Sequence, residues 1–266
     1  MTETRVAFDD ADAYDRYMGR WSRAIGEKFL EWLHPPQNGS WLDVGCGTGA
    51  FTGLILTHAA PRQIVAIDPS LQQVEHAQRT VTAPQVTFRT GSAIDLPFGT
   101  AEFNVVVSAL VIHFIPDRPK AFREMLRVTK PGGLVGGYTW RKSPTVIDAP
   151  YGPLARGVIA IAGDVMTSPT VPEAMPDGLL ATLTAEDYRD IEITTIEASQ
   201  TFRDFEDYWI SQTSTFPHPV AKSATALSEH DRERLRDLLR AALPADVDGS
   251  ITYSSRATAF KARKAH

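Results

Sequence analysis

Two carboxylates bracket a glycine-rich turn. In WLDVGCGTGAF (Trp41 to Phe51), Asp43 precedes Gly45, Gly47 and Gly49, and Asp68 closes the next apolar run, IVAID. Glycines lack a Cβ, so the backbone can turn sharply there and a ligand can lie against its N–H groups. In open α/β sheets ligands sit beyond the carboxyl ends of the strands, which places Asp68 to accept both hydroxyls of a ribose. Asp43 stands just before the loop, where a carboxylate repels a pyrophosphate and attracts an ammonium. The plainer role for Asp43 is to cap the loop by accepting its backbone N–H groups. Gly45-x-Gly47-x-x-Ala50 also satisfies the fingerprint of nicotinamide dinucleotide enzymes, and Asp43 weighs against that reading. A nucleoside with a cationic sulfur, an ammonium and no phosphate suits the loop better; S-adenosylmethionine is such a ligand.

Alternating strand-like and helix-like segments must position these groups, a pattern that predicts a parallel sheet with helices on both faces. Ile25, Phe29, Trp32 and Leu33 share a helical face that Pro35-Pro36 ends. Strands are expected over 40–44, 64–68, 86–89, 103–108 and 134–140. Helices fall between them: 48–58, one capped by Ser70, and one capped by Asp117 that ends at Pro131-Gly132-Gly133. Residues 143–178 hold six prolines and read as an irregular cap or lid. A strand over 191–202, a short helix over 204–212, a helix over 228–243 and a final strand over 251–262 complete the chain. The chain thus reads as one domain: a cofactor-binding core over 14–140, a substrate cap over 143–178 and 204–245, and the last strand.

Composition bounds the function. The 266 residues carry a net charge of −5, against the basic face that nucleic-acid binding needs. The basic cluster KARKAH at the C-terminus reads as a solvated tail. One cysteine, Cys46, allows neither an intrachain disulfide nor a cysteine zinc site, and no histidine spacing suggests a metal. Cys46 itself reads as a small packing residue. The polar, acidic N-terminus is unlike a signal peptide, and the apolar run Val105 to Ile115 is too short to span a bilayer. A cytoplasmic protein with a small-molecule substrate, no nucleic acid and no membrane is the expectation; oligomeric state is unreadable.

WLDVGCGTGAF, IVAIDPS, GSAIDLPF (Gly91 to Phe98), FNVVVSALVIHFI (Phe103 to Ile115) and REMLRVTKPGG (Arg123 to Gly133) together resemble the consecutive motifs of class I S-adenosylmethionine-dependent methyltransferases, of the ubiquinone/menaquinone-biosynthesis and small-molecule type. The resemblance covers roughly residues 14–140. It implies a Rossmann-like seven-stranded sheet of order 3-2-1-4-5-7-6, with the last strand antiparallel. It implies methyl transfer to an oxygen, nitrogen or carbon nucleophile. Relatives often carry Asp where this chain has Ser92, so adenine recognition would rest on the Ala93 N–H with Ser92 or Asp95. They commonly carry Asp where Asn104 stands, read here as structural.

The resemblance fills in the rest of the site. Tyr14, Arg20, Cys46, Pro69 and Ser108 join Asp43, the glycines, Asp68, Ser92 and Ala93 around the cofactor. In relatives the N-terminal segment covers the cofactor, so Tyr14, Tyr17 and Trp21 could offer aromatic faces to a sulfonium and Arg20 could bind a carboxylate. His113 follows the fourth strand, in the loop bordering the transferred methyl group, as a base, a substrate ligand or a backbone-bonded loop residue. Trp140, Arg141 and Trp209 could line an acceptor pocket, with Tyr17 and Trp21. Tyr151, Ile159, Ile161, Met166 and Phe216 suggest an aromatic or hydrophobic acceptor. The rival readings are a nicotinamide-dependent oxidoreductase and a non-methylating cyclase or binding protein on the same fold.

Overall fold

The computed structural model describes residues 11–266 apart from 144, 166–169 and 215–217, with side chains described from Met18 onward. Among these residues seven strands form one sheet in the order β3-β2-β1-β4-β5-β7-β6. The strands are β1 (Ser40–Val44), β2 (Gln63–Asp68), β3 (Val86–Thr90), β4 (Phe103–Ala109), β5 (Thr129–Trp140), β6 (Arg189–Phe202) and β7 (Ile251–Arg263). The first five pair in parallel, and β7 runs antiparallel to both β5 and β6. The sheet matches the fold class and strand order expected from the sequence.

The central strands are apolar on both sides because both faces are covered. In β4, Val105 and Val107 enter one core and Val106 the other, as the two-residue period of a strand requires. Helices α1 (Ala11–Leu33) and α2 (Ala50–His58) cover the first face. Trp21, Ile25, Phe29 and Leu33 recur every four residues or so along α1 and pack with Trp41, Ile55 and Tyr138. The second face is covered by α4 (Arg118–Val128) and α6 (Pro176–Ala185), through Phe122, Met125, Leu179 and Leu183 against Val135 and Phe260. Helix α3 (Leu71–Thr80) closes a smaller cluster of Val74, Ala77, Phe88 and Cys46. Ser70 and Asp117 cap α3 and α4 as expected, accepting from the Gln73 and Lys120 amides.

Three sequence expectations need correction. Helix α4 ends at Val128, and β5 begins at once at Thr129, so Pro131-Gly132-Gly133 lies within the strand, not at the helix end. The ladder with β4 shifts register between Phe103 and Val105, which accommodates the proline and the positive φ of Gly132. The C-terminal basic residues are not a solvated tail: β7 runs to Arg263, and the Lys264 ammonium donates to the Arg127 and Thr129 carbonyls. The proline-rich segment 143–178 is more regular than expected: among the described residues it contains α5 (Gly152–Ala162), a 3₁₀ turn at Pro172–Ala174 and the start of α6. After β6 come α7 (Phe205–Thr213) and α9 (Glu229–Ala242), which match the two expected helices, with α8 (Pro219–Ala226) between them. Pro153, Pro172 and Pro176 occupy first-turn positions, where the missing N–H costs nothing and the fixed φ favours helix.

Candidate active site

β1 ends at Val44 and the chain turns through the three glycines, all with positive φ, into α2. Gly49 takes the position before α2 in the left-handed conformation. A Cβ on Gly45 would strike the Val111 side chain at 2.5 Å, and one on Gly49 would press on Ala77, Val81 and Phe88. A Cβ on Gly47 would meet nothing within 4 Å, so this glycine borders open space.

Four of the loop amides are already bonded. Gly45 and Cys46 donate to the Ile67 carbonyl at 2.8 and 2.9 Å, Gly49 donates to the Cys46 carbonyl at 2.9 Å, and Gly47 donates to Asp68 Oδ2 at 3.0 Å. Asp68 accepts a second amide, Ser70 N, through Oδ1 at 2.9 Å. Its carboxylate is only partly buried, which leaves lone pairs for a ligand, and burial lifts its pKa against those two bonds.

Asp43 is fully buried beneath this loop. Thr52, in the first turn of α2, donates to Oδ2 at 2.6 Å, and Oδ1 has no partner among the described residues. Burial pushes the Asp43 pKa up to about 7; the Thr52 bond opposes that shift and the nearby Asp68 charge adds to it. Asp43 therefore accepts a side-chain hydroxyl and does not cap the loop through its amides. Thr52 carried no motif of its own; its signal was its place one turn beyond the last glycine.

Other expected cofactor residues lie around this centre in different states. Cys46 is buried with Val74, Ala77 and Phe88, and burial raises its thiol pKa well above the usual value, as for a packing residue. Pro69 and Ser92 are exposed, Ala93 is partly buried, and Ser92 and Asp95 face each other across an isolated bridge. Ser108 is buried and donates to the Val44 carbonyl at 3.0 Å, so it ties β4 to β1 under the loop and presents no hydroxyl to a ligand. Asn104 is structural, accepting the Ser40 amide and hydroxyl at 3.0 and 2.8 Å.

Beyond β4 and β5, His113 Nδ1 lies 2.7 Å from the Thr139 hydroxyl. Trp140 is buried at the end of β5, and Arg141 beyond it meets Asp148 at 3.4 Å. Lys142 follows, buried, its pKa lowered to about 8 by burial. Trp21 does not open onto a ligand space: it is buried against Tyr253, in an aromatic cluster with Phe202 and Tyr208. The exposed Arg20 sits on the β6 side, where its carbonyl accepts from Gln200. Trp209 is engaged by Phe205 and by the Arg236 guanidinium, 4.9 Å from its ring centre. The side chains of Tyr14 and Tyr17, and all of Met166 and Phe216, lie outside the described residues. A cavity of about 410 Å³ between α5 and α9 is lined by Ile147, Asp148, Arg156, Leu239 and Tyr253 and by none of the glycine-loop residues.

Residues 42–136 match the family model of the methyltransferase domain. Over those residues the chain carries a methyltransferase domain. It is 36% identical over 113 residues to the malonyl-[acyl-carrier protein] O-methyltransferase of Erwinia pyrifoliae, covering 42% of each chain. The chain thus spans about two-fifths of the length of that curated relative. Among solved structures, phosphoethanolamine N-methyltransferase 2 of Haemonchus contortus in complex with S-adenosyl-L-methionine aligns with a TM-score of 0.61 at 17% identity, over 99% of this chain and 59% of that one. The [4+2]-cyclase SpnF aligns with a TM-score of 0.55 at 18% identity, over 92% of this chain and 82% of that one. At such identities the two structures establish the fold alone.

The methyltransferase loop fits its cofactor on two observations: the open space over Gly47 and the unpartnered Asp43 Oδ1. Among the described residues no group of three or more His, Cys, Asp or Glu is placed to hold a metal ion, and no helix is long and apolar enough to cross a membrane.

Proposed function

We propose that this chain transfers a methyl group from S-adenosylmethionine to a small-molecule acceptor. The observation that carries the reading is the pair of carboxylates on either side of Gly47. Asp43 Oδ1 awaits a donor, and a cationic ligand supplies one. Asp68 keeps lone pairs for ribose hydroxyls beyond the two amides it already accepts. Leu71, exposed at 59% just past Asp68, offers an apolar surface to the face of a base.

The same facts disfavour a dinucleotide. A pyrophosphate needs free N–H groups, and the amides of Gly45, Cys46, Gly47 and Gly49 are all bonded within the protein, beside two carboxylates. Tyr138 and Lys142 do have the Tyr-x-x-x-Lys spacing of short-chain hydride-transfer enzymes. They lie on or just after a strand, however, and the Tyr138 ring is buried against Phe29 and Phe51.

The bound cofactor supplies a methyl group already activated by positive sulfur. The protein's part is alignment: Asp43 and Asp68 fix the two ends of the ligand, and the ends of β4 and β5 with the helical cap present the acceptor. Holding reactants about 3–3.5 Å apart in line is worth roughly 7–11 kcal/mol. Calorimetric titration with S-adenosylhomocysteine and with NAD tests the reading. Binding of the former alone is expected, weakened at least tenfold in Asp68→Ala, because a hydrogen bond to a charged group contributes about 1.5–3 kcal/mol. Binding of NAD alone, or unchanged affinity in Asp68→Ala, would overturn it. Mass spectrometry for one added methyl on an acceptor then separates transfer from mere binding.

A further inference from the structure

Among the described residues the Thr139 hydroxyl has one hydrogen-bond partner, His113 Nδ1 at 2.7 Å. Thr139 is fully buried on β5. A buried hydroxyl whose proton meets no acceptor bears its full desolvation penalty. The Thr139 proton therefore goes to Nδ1, and that choice fixes the tautomer: Nδ1 accepts and Nε2 carries the hydrogen. Burial, reinforced by the Lys142 ammonium, pushes the His113 pKa down to about 3, so the ring stays neutral at ordinary pH. A ring in this state has no free lone pair to act as a base.

The Lys142 charge acts on the ring. Arg141 precedes Lys142 at the end of β5, and its carboxylate partner among the described residues is Asp148, at a long 3.4 Å. Arg141 Nε is buried with no partner among the described residues. The exposed Phe114 lies against the imidazole, ring centres 4.0 Å apart, and adds an apolar wall.

We infer that the acceptor binds here as an oxyanion, an ionised carboxyl, phenol or enol, with His113 Nε2–H and the Arg141 guanidinium as its donors and Thr139 as the residue that positions the ring. This rests on the methyl-transfer reading and names the acceptor class. An oxyanion needs no base: its lone pair forms the new bond to the methyl carbon, the pair of the broken bond stays on sulfur, and no proton moves. Sulfonium and oxyanion both end neutral.

The experiment uses the full chain labelled with ¹⁵N-histidine, its His113 signals assigned by their loss in His113→Gln. Long-range ¹H–¹⁵N correlation should show Nε2 protonated and Nδ1 bare, unchanged from pH 5 to 8, and Thr139→Val should give a mixture of tautomers. An Nδ1–H tautomer in the wild type, or an imidazolium at pH 6, would overturn the inference. The protein saturated with S-adenosylhomocysteine is then titrated with benzoate and with benzamide. Benzoate should shift the His113 Nε2–H resonance and benzamide should not. An equal response to both, or none to benzoate or to 4-nitrophenol above its own ionisation, would sink the oxyanion assignment. Comparing benzoate with ionised 4-nitrophenol separates a carboxylate acceptor from a phenolate. Calorimetry with S-adenosylhomocysteine comes first. Its failure sinks the methyl-transfer reading, whereas intact binding with a failed histidine result sinks only the inference.

Discussion

Thr52 holds Oδ2 of Asp43 in a 2.6 Å hydrogen bond while Oδ1 stays buried without a partner among the described residues. This half-satisfied carboxyl makes the stability of the empty protein depend on pH. Its folded pKa, about 7, lies above its ordinary value of 3.8. Between the two the unfolded chain is ionised while the folded one keeps the proton, so stability falls as pH rises from about 4 to about 7 and levels off above. At about 1.4 kcal/mol per unit the ceiling on this loss is about 4 kcal/mol. Asp43→Asn removes the titration. Its melting temperature should exceed that of the wild type at pH 8, and the gap should narrow toward pH 5. Parallel melting curves across that range would contradict the assignment.

Cofactor uptake should release the same proton. An ammonium beside Oδ1 favours the carboxylate, so binding at pH 7 ionises the fraction of Asp43 still protonated. Calorimetry in phosphate and in Tris, whose ionisation enthalpies differ widely, should give different apparent binding enthalpies. The difference should vanish in Asp43→Asn. Identical enthalpies in the two buffers for the wild type would show that no proton leaves.

The glycines separate fold from function. Gly45→Ala places a methyl 2.5 Å from Val111 at a φ of +79°, so it should lower stability by more than the conformational cost alone. Gly47→Ala meets no atom within 4 Å and bears only the left-handed backbone cost, about 1–2 kcal/mol. It should fold and yet lose S-adenosylhomocysteine affinity by at least tenfold, because its methyl fills the space the ligand needs. Denaturation curves and calorimetry on both variants check this. Gly47→Ala binding like the wild type would move the ligand elsewhere.

The cofactor half was legible because its chemistry is local in sequence: a strand, a turn that needs glycine, and a carboxylate on the next strand. The caps at Ser70 and Asp117 could be read for the same reason, whereas the sheet order followed from the family resemblance. The helices of the proline-rich segment are not legible in its sequence, because prolines break helices in their interiors and start them at their first turns. Sequence spacing alone did not show which role Pro153, Pro172 and Pro176 play. The Thr139–His113 pair was invisible for a different reason. It depends on β5 lying beside β4, across 26 residues of chain. The resemblance placed Trp21 near the cofactor and Trp209 in the later cap; Trp21 is instead buried against Tyr253, and Trp209, partly buried, is engaged by Phe205 and Arg236.

The segment before α6 is tied to the core by a partly buried ion pair whose loss should be measurable. Arg118, at the start of α4, donates through Nε to Glu173 at 2.9 Å and through Nη1 to the Ile115 carbonyl at 3.0 Å. Glu173 is buried in the 3₁₀ turn before α6 and also accepts the Thr182 hydroxyl at 3.1 Å. Its neighbour Ala174 accepts the Thr258 hydroxyl of β7, so the turn is fastened to the sheet as well. Arg118→Met leaves the Glu173 carboxylate buried with only Thr182. Removing one partner of a fully buried pair costs about 3–5 kcal/mol. The Arg118 side chain is 24% exposed, so water can reach the pair, and a loss of about 2–3 kcal/mol is expected. Adding Glu173→Gln to Arg118→Met removes the stranded charge and should restore part of that loss. Urea denaturation of the two single variants and the double variant gives the coupling directly. Additive losses would mean that the pair does not hold this segment to the core.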